Sequence, residues 1–367
     1  MASTSLDVAV VGAGPVAWAA AFALQRAGLS VGVVGPVGGG GRWSAVLPRG
    51  AAFLSSLGLD PLQPAVGGLP VQGLGLVEGT RLAQADSSET RHPYIAVATD
   101  TGALARCAAQ RWQGPRWESK ASHLSGTLGG RTLHLEDGTA LFAKRVVAAD
   151  GAEGAIAEAL GGPLRGPRTR QATASWIARH AMPHQGWAFE TSNDHGPVAT
   201  TPMPDDVDGA HRSAVVWVDR VGSDALLDPH AAAAALERLL GAQLGAVQAP
   251  ENLHPWPARF AARRRWGPDW IALGEAARVW PPTGAQGLNQ GLTAAQELGR
   301  IGDAFLEQGG IARWALRTET VAAARLAFVA GLHGALSFPL GPLRATGLQA
   351  WERCGPVRRA ALRVGLS

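Results

Sequence analysis

The chain has 367 residues, 46% hydrophobic and 17% charged, which suits one large globular unit or two intimately joined ones with ample core. Its 48 Gly and 24 Pro point to many turns, and no polar low-complexity tract marks a disordered chain. The formal charge of +4 rests almost wholly on arginine, only Lys120 and Lys144 being lysines, and the arginines are scattered without a nucleic-acid motif, so no nucleic-acid partner is expected.

Val8-Ala9-Val10-Val11, followed by Gly12-Ala13-Gly14-Pro15-Val16-Ala17, predicts a strand, a tight turn and a helix start: the dinucleotide fingerprint, with Ala17 at its third position. Gly12 permits the turn, Gly14 lets backbone approach a pyrophosphate, and Ala17 allows helix and strand to pack closely. The helix is expected from Trp18 to Ala27, with Ser30 to Val34 as the next parallel strand. Residues 76–94 form a polar excursion read as a β-hairpin over the site, and Thr101 to Trp112 reads as a helix. Thr132 to Leu135 and Arg145 to Ala148 read as strands separated by the turn signal Asp137-Gly138. From Arg165 to Leu253 the pattern is rich in strands, with one helix from Pro229 to Leu244 that Asp228 can cap.

Trp270 to Leu273 reads as a buried strand ending at Gly274 and Glu275, where a carboxylate can meet a ribose hydroxyl. Pro282 and the Gly-rich turn Gln286 to Gly291 then open a helix expected from Leu292, aiming free N–H groups and a positive dipole end at whatever lies above. The remainder reads as helical, punctuated by Pro339, Pro342 and Pro356. Val321 to Leu340 comes nearest to a membrane span, but Arg325, His333 and Pro339 favour a packed amphipathic helix. Leu343 to Leu366 interleaves five arginines with apolar residues, and suits either a membrane surface or a solvated basic face. Cys107 and Cys354 form no disulfide framework, no secretory signal is expected, and the ten His show no metal spacing.

The two nucleotide motifs, with those between them, resemble the single-component flavin aromatic hydroxylases, closest to the ubiquinone-biosynthesis hydroxylases of the UbiH/UbiF type. Arg42, Ala45, Leu47 and Phe53 to Leu59 match the family segment whose Arg approaches the flavin. Val146 to Ala152 matches its Asp-Gly motif at Asp150. Gly196 to Ala199 and Val215 to Trp217 match its substrate sheet, and Leu343 to Leu348 its last helices. The resemblance implies an α/β fold: a Rossmann-like FAD-binding domain made of residues 1–75, 95–164 and 254–320, an inserted sheet-rich substrate domain of 76–94 and 165–253, and a C-terminal helical segment of 321–367. It implies FAD as cofactor, NAD(P)H as reductant and O2 as co-substrate, with one oxygen passing to an electron-rich ring carbon through a C4a-hydroperoxide.

The substrate it implies is an aromatic or quinone-type small molecule, foremost a polyprenylated phenol of ubiquinone biosynthesis. The expected place is cytoplasmic, including a peripheral position on the inner face of the membrane, with other quinone-biosynthesis proteins as candidate partners. The implied cofactor contacts are Gly12, Gly14, Pro15, Ala17, Arg42, Asp150, Gly274, Glu275, Pro282, Gly287, Leu288 and Asn289. Pro282, Gly284 and Gln286 would face the flavin ring, Asp150 would either reach the cofactor or close a turn, and Trp187, Phe189 and Trp217 are candidates for an aromatic pocket or for core. No metal is expected.

The chain also departs from the family pattern. Gly35 stands where the family places a ribose-binding Glu, and Gly38 to Gly41 follow it. Glu275 replaces Asp. Glu153, Gly154 and Ala157 replace Arg, Ser and Arg, and Asp100-Thr101-Gly102-Ala103-Leu104 replaces Glu-Asn-x-x-Leu. A non-catalytic subunit of a quinone-biosynthesis complex, and a hydroxylase of another aromatic, are the alternatives these changes leave open.

Overall fold

The computed structural model describes residues 5–38, 41–126, 129–167, 169–251, 253–339 and 341–366. Gly39 and Gly40, inside the glycine run, lie outside the described residues. In chain order the N-terminal half carries strands β1 (Ser5–Val11), β2 (Val31–Val34), β3 (Trp43–Val46), β4 (Leu69–Val71), β5 (Gly73–Glu78), β6 (Arg81–Asp86), β7 (Ala96–Asp100), β8 (Arg116–Trp117), β9 (Ala121–Ser125), β10 (Arg131–Leu135) and β11 (Ala140–Ala148). Helices α1 (Pro15–Arg26), α2 (Pro48–Ser56), α3 (Thr101–Arg111) and α4 (Ala155–Gly161) are set among and after them. There follow β12 (Gln171–His180), β13 (Trp187–Ser192), β14 (Pro197–Met203), β15 (His211–Arg220), α5 (Asp224–Leu227), α6 (Pro229–Leu244), β16 (Trp256–Pro257), β17 (Ala261–Ala262), β18 (Trp270–Ala272) and β19 (Arg278–Val279). Four helices close the chain: α7 (Gln286–Ile301), α8 (Gly310–Ser337), α9 (Gly341–Arg353) and α10 (Gly355–Gly365).

The first sheet runs β8-β2-β1-β11-β10-β9, with β18 pairing the end of β11. Its part from β8 to β11, with β18, is parallel: β1 lies between β2 and β11, and β18 joins Val146–Ala148 from more than a hundred residues away. The near-continuous apolar runs of β1 and β2 are those of strands covered on both faces. One cluster packs Val8, Val10, Val31 and Val33 under α1, α3 and α7; another packs Ala9, Val11, Leu133 and Ile156 on the reverse face. This is a Rossmann-like α/β sheet.

The second sheet runs β16-β12-β15-β14-β13-β5-β6, so the hairpin of residues 73–86 becomes one edge of a sheet otherwise built after residue 170. Its far face packs on α6, which begins at Pro229 as expected, with Asp228 accepting from the N–H groups of His230 and Ala231.

The segment after β18 differs from expectation. The helix begins at Gln286, six residues before Leu292, so Gly287 and Gly291 are helical and the turn proper is Pro282 to Ala285, where Gly284 (φ 62°) and Ala285 (φ 53°) are both left-handed. A Cβ on Gly291 would stand 2.7 Å from Val16 and 3.1 Å from Gly274, so that glycine serves close packing of α7 on α1 and on the turn after β18.

Helix α8 is long and apolar enough to cross a membrane by length and composition. Its buried residues Ile311, Trp314, Thr318, Ala322, Arg325, Val329 and His333 form one stripe at helical spacing. That stripe is bonded inward: Trp314 Nε1 to the Ala294 carbonyl at 3.0 Å, Arg325 to Thr293 Oγ1 at 2.9 Å, and His333 Nδ1 against Thr283 Oγ1 at 3.0 Å. These are the contacts of the packed helix.

Gly291→Val is expected to cost about 1–3 kcal/mol by overpacking, read as a lower urea midpoint. Gly287→Ala, whose Cβ meets nothing within 4 Å, is expected to hold or raise stability, since Ala favours helix over Gly. Equal effects at the two sites would remove the packing explanation.

Candidate active site

A cavity of about 690 Å³ lies between the ends of β1 and β18, the near face of the second sheet and the C-terminal helices. Its first wall comes from the N-terminal fingerprint. Gly12 has φ +114°, and a Cβ there would fall on the Ala149 carbonyl, so only glycine lets β1 turn beside β11. Gly14 is extended (φ −81°, ψ 173°) and faces open space, with nothing within 4 Å of where its Cβ would be. Pro15 occupies the first turn of α1 and no side chain caps that helix, so the N–H groups of Val16 and Ala17 remain available at the cavity wall.

The second wall is the start of α7. No side chain caps this helix either, and Ala285, a non-glycine residue held left-handed, sets its entry. Pro282, Gly284, Gly287 and Leu288 line the cavity, and Gly287, like Gly14, opens onto empty space. Between the two helix starts, Gly274 (φ +59°) and Glu275 lie at the rim. Glu275 Oε1 meets Arg42 Nη2 at 3.3 Å across the cavity mouth, and both side chains are about half exposed or more, so the pair adds little stability and stays free to rearrange around a ligand.

Four of the sequence candidates hold the site together without lining it. Asn289 is buried and its amide is fully engaged: Oδ1 accepts from Leu47 N at 2.8 Å, and Nδ2 donates to the carbonyls of Ala45 (2.8 Å) and Ala285 (2.7 Å). It clamps α7 to the β3–α2 segment. Gln286 Nε2 donates to the carbonyls of Gly284 and Gly365, tying the turn to the last helix. Asp150 caps α4, its Oδ2 accepting from Ile156 N at 2.9 Å and Ala157 N at 3.3 Å. Burial pushes its carboxyl above the usual range. Gly154 leaves room for that carboxyl, since a Cβ there would overlap it. Gly12 acts through the turn.

Register sorts the aromatic candidates between the two faces of the sheet. Strand residues alternate between faces. Trp187 and Phe189 lie over Gly73 and Gly75 of β5, whose missing side chains make room for the two rings. Phe189 and Trp217 belong to the core against α6, and Trp217 Nε1 donates to Asp219 at 3.2 Å. Of the three only Phe189 also lines the cavity. The opposite row of the sheet faces the cavity instead: Leu76, Glu190, Ala199, Val216 and Ser175 are paired neighbours across five strands, and all line it.

Sequence reasoning passed over Glu190 and the cavity-lining Trp256, Trp280 and Trp351. Trp280 could have been found beside Pro281-Pro282, and Glu190 as a lone charge within an otherwise uncharged strand. Trp351 carries no local signal.

Gly35 has φ +137°, a conformation favouring glycine, and its N–H donates to the Trp117 carbonyl at 2.9 Å. Reintroducing Glu there would strain the backbone. Glu153 is exposed.

Glu190 is buried, and its Oε1 has no hydrogen-bond partner among the described residues; burial pushes its carboxyl up to about 7. Because the folded value lies above the ordinary 4.5, the folded state holds an extra proton between these values. The folded state is therefore most favoured below pH 4.5, where this carboxyl is protonated in both states, and loses that advantage as pH rises through 7. The expected outcome is that wild-type stability, relative to Glu190→Gln, falls by about 3 kcal/mol from pH 4 to pH 8 in urea titrations. A pH-independent difference would show a hydrated, ordinary carboxylate.

The FAD binding domain family matches residues 107–316. The chain is 30% identical to the ubiquinone hydroxylase UbiL of Rhodospirillum rubrum, over 97% of this chain and 88% of that protein. It is 26% identical to a menaquinone reductase of Mycolicibacterium smegmatis, over 84% and 78% of the two chains. Among solved structures, p-nitrophenol 4-monooxygenase PnpA from Pseudomonas putida shares the fold with a TM-score of 0.81 at 20% identity, covering 99% of this chain and 97% of that one. The uncapped helix starts, the glycines opened toward one cavity and these likenesses agree: the chain belongs to the FAD-binding domain family, among the FAD-dependent monooxygenases.

Proposed function

We propose that this enzyme hydroxylates the ring of a polyprenylated phenol or quinone precursor. The observation that carries the reading is the cavity itself, with two uncapped helix starts on one side and a mostly apolar sheet face on the other. The residues present fit FAD, because Gly14 and Gly287 leave space where any side chain would intrude. The N–H groups of Val16 and Ala17 would hold the pyrophosphate, and Arg42 and Glu275 would turn from each other to the ligand's phosphate and hydroxyl groups. The N-terminus of α7 favours negative charge at the ring. When bound and reduced by NAD(P)H, FAD would supply the activation of O2, from which one oxygen atom enters the ring.

The rest falls to the chain's own side chains. Leu74, Leu76, Ala188 and Val216 present an apolar face to the substrate ring, and Phe328, Leu332 and Leu362 from the C-terminal helices extend it, giving an isoprenoid tail somewhere to lie. The same surfaces exclude water from the site. A ubiquinone hydroxylase and a menaquinone reductase among the relatives support a quinone-type ring. The second name also supports a rival reading, in which a quinone is reduced and no oxygen is inserted.

Gly14→Val is expected to fold normally, since its backbone angles suit any residue, and to lose FAD affinity at least tenfold. Circular dichroism with flavin content of the purified protein reads both. Full flavin retention would place the pyrophosphate elsewhere.

Reduction of bound flavin by NAD(P)H is expected to accelerate on adding a prenylated phenol, and turnover under 18O2 to add one labelled oxygen to the product. Anaerobic turnover, with consumption of NAD(P)H and no oxygen incorporated, would establish the reductase reading instead.

A further inference from the structure

Within the hydroxylase reading, the cavity face of the second sheet carries one acidic side chain, and the register shows where it sits. Glu190 occupies the middle of β13, between Leu76 on one side and Ala199 on the other, in the row that continues through Val216 to Ser175. Every member of that row lines the cavity. Ser175, three strands away, lies roughly 14 Å off at the spacing of paired strands, too far to share a proton. An unpaired carboxyl in such a place costs stability unless a ligand meets it.

The neighbouring charged groups are otherwise occupied. Glu78 on β5 pairs with Arg344 at 2.7 Å, and β14 bears no ionisable side chain. On α8, which packs against β13, Arg325 bonds to Thr293, and His333 lies between Thr283 and Gln171 at 3.0 Å each. Arg42 and Glu275 face each other at the mouth, and Arg363 on α10 is exposed.

We propose that Glu190 is the catalytic base that takes the proton from the ring hydroxyl of a phenolic substrate. The phenolic O–H bond breaks, a carboxyl O–H bond forms on Glu190, and the electron pair stays on the phenolate oxygen. The ring becomes richer in electrons, as oxygen insertion at a ring carbon requires, and no net charge enters the cavity. When the ring regains its hydroxyl, the same proton returns from Glu190. A carboxyl held near neutrality by burial can act in both directions. This assignment rests on the hydroxylase reading.

The test uses the flavin-loaded protein and two probes, 4-butylphenol and its methyl ether, with binding followed by equilibrium dialysis at pH 6 and pH 8. A simple phenol ionises near pH 10, so the probe itself does not titrate in this range. Wild type is expected to bind the phenol about tenfold more tightly at pH 8, where ionised Glu190 accepts a charge-assisted hydrogen bond, and to bind the methyl ether equally at both. In Glu190→Gln, both probes are expected to bind without a pH step. The phenol-against-ether comparison on wild type stands even where the variant fails to fold. A pH step that persists in Glu190→Gln, or that the methyl ether shares, overturns the assignment. Binding of both probes to wild type without a step overturns it and leaves the hydroxylase reading intact. Failure of both probes to bind overturns the two together.

Discussion

Three backbone segments converge where Gly12, Gly274 and Gly291 carry no side chain, and the site depends on that close approach. Gly12 lets β1 turn against the Ala149 carbonyl, while Gly274 and Gly291 let the turn after β18 and helix α7 close around Val16 of α1. The result is two helix N-termini, neither of them capped by its own side chains, opening on one cavity. Uncapped helix starts leave backbone donors unsatisfied and concentrate positive potential. A fold that sets two of them together is built to receive an extended anionic ligand. Asn289 secures the arrangement from behind by bonding α7 to the segment before α2.

The second sheet supplies the opposite chemistry. Its two faces differ because strand residues alternate: one buries Phe189, Val215 and Trp217 against α6, the other turns Leu76, Ala199 and Val216 to the cavity. The C-terminal helices close the remaining side, with Leu362 and Leu366 among the lining residues and the Gly365 carbonyl bonded to Gln286. The side of the helix starts is therefore polar and backbone-made, and the side of the second sheet apolar and side-chain-made. Glu190 is the acidic side chain on the apolar one.

The departures from the family pattern take on physical meaning in this frame. Gly35 is no simple deletion of a carboxylate, because its backbone angle suits glycine. Glu275 pairs with Arg42 across the mouth. Gly154 makes room for the Asp150 carboxyl as a helix cap. Each is a local rebuilding of the nucleotide side around different contacts, and the two glycine-lined openings persist.

Local sequence determined the elements whose logic is local. The glycine turn after β1, the helix capped by Asp228 and the strand ending at Gly274 were legible because turn angles, caps and apolar runs are properties of a few consecutive residues. The pairing of residues 8–34 with residues 270–301 around one site came from resemblance to a family, since nothing local links them. Tertiary structure alone decided the rest. Whether Trp187 or Glu190 faces the cavity depends on which side of a strand meets α6, and neighbours a hundred residues distant set that. Whether Asn289 binds a ligand or clamps a helix depends on the carbonyls that happen to surround it. Polar side chains are assigned by their partners, and partners exist only once the chain has folded.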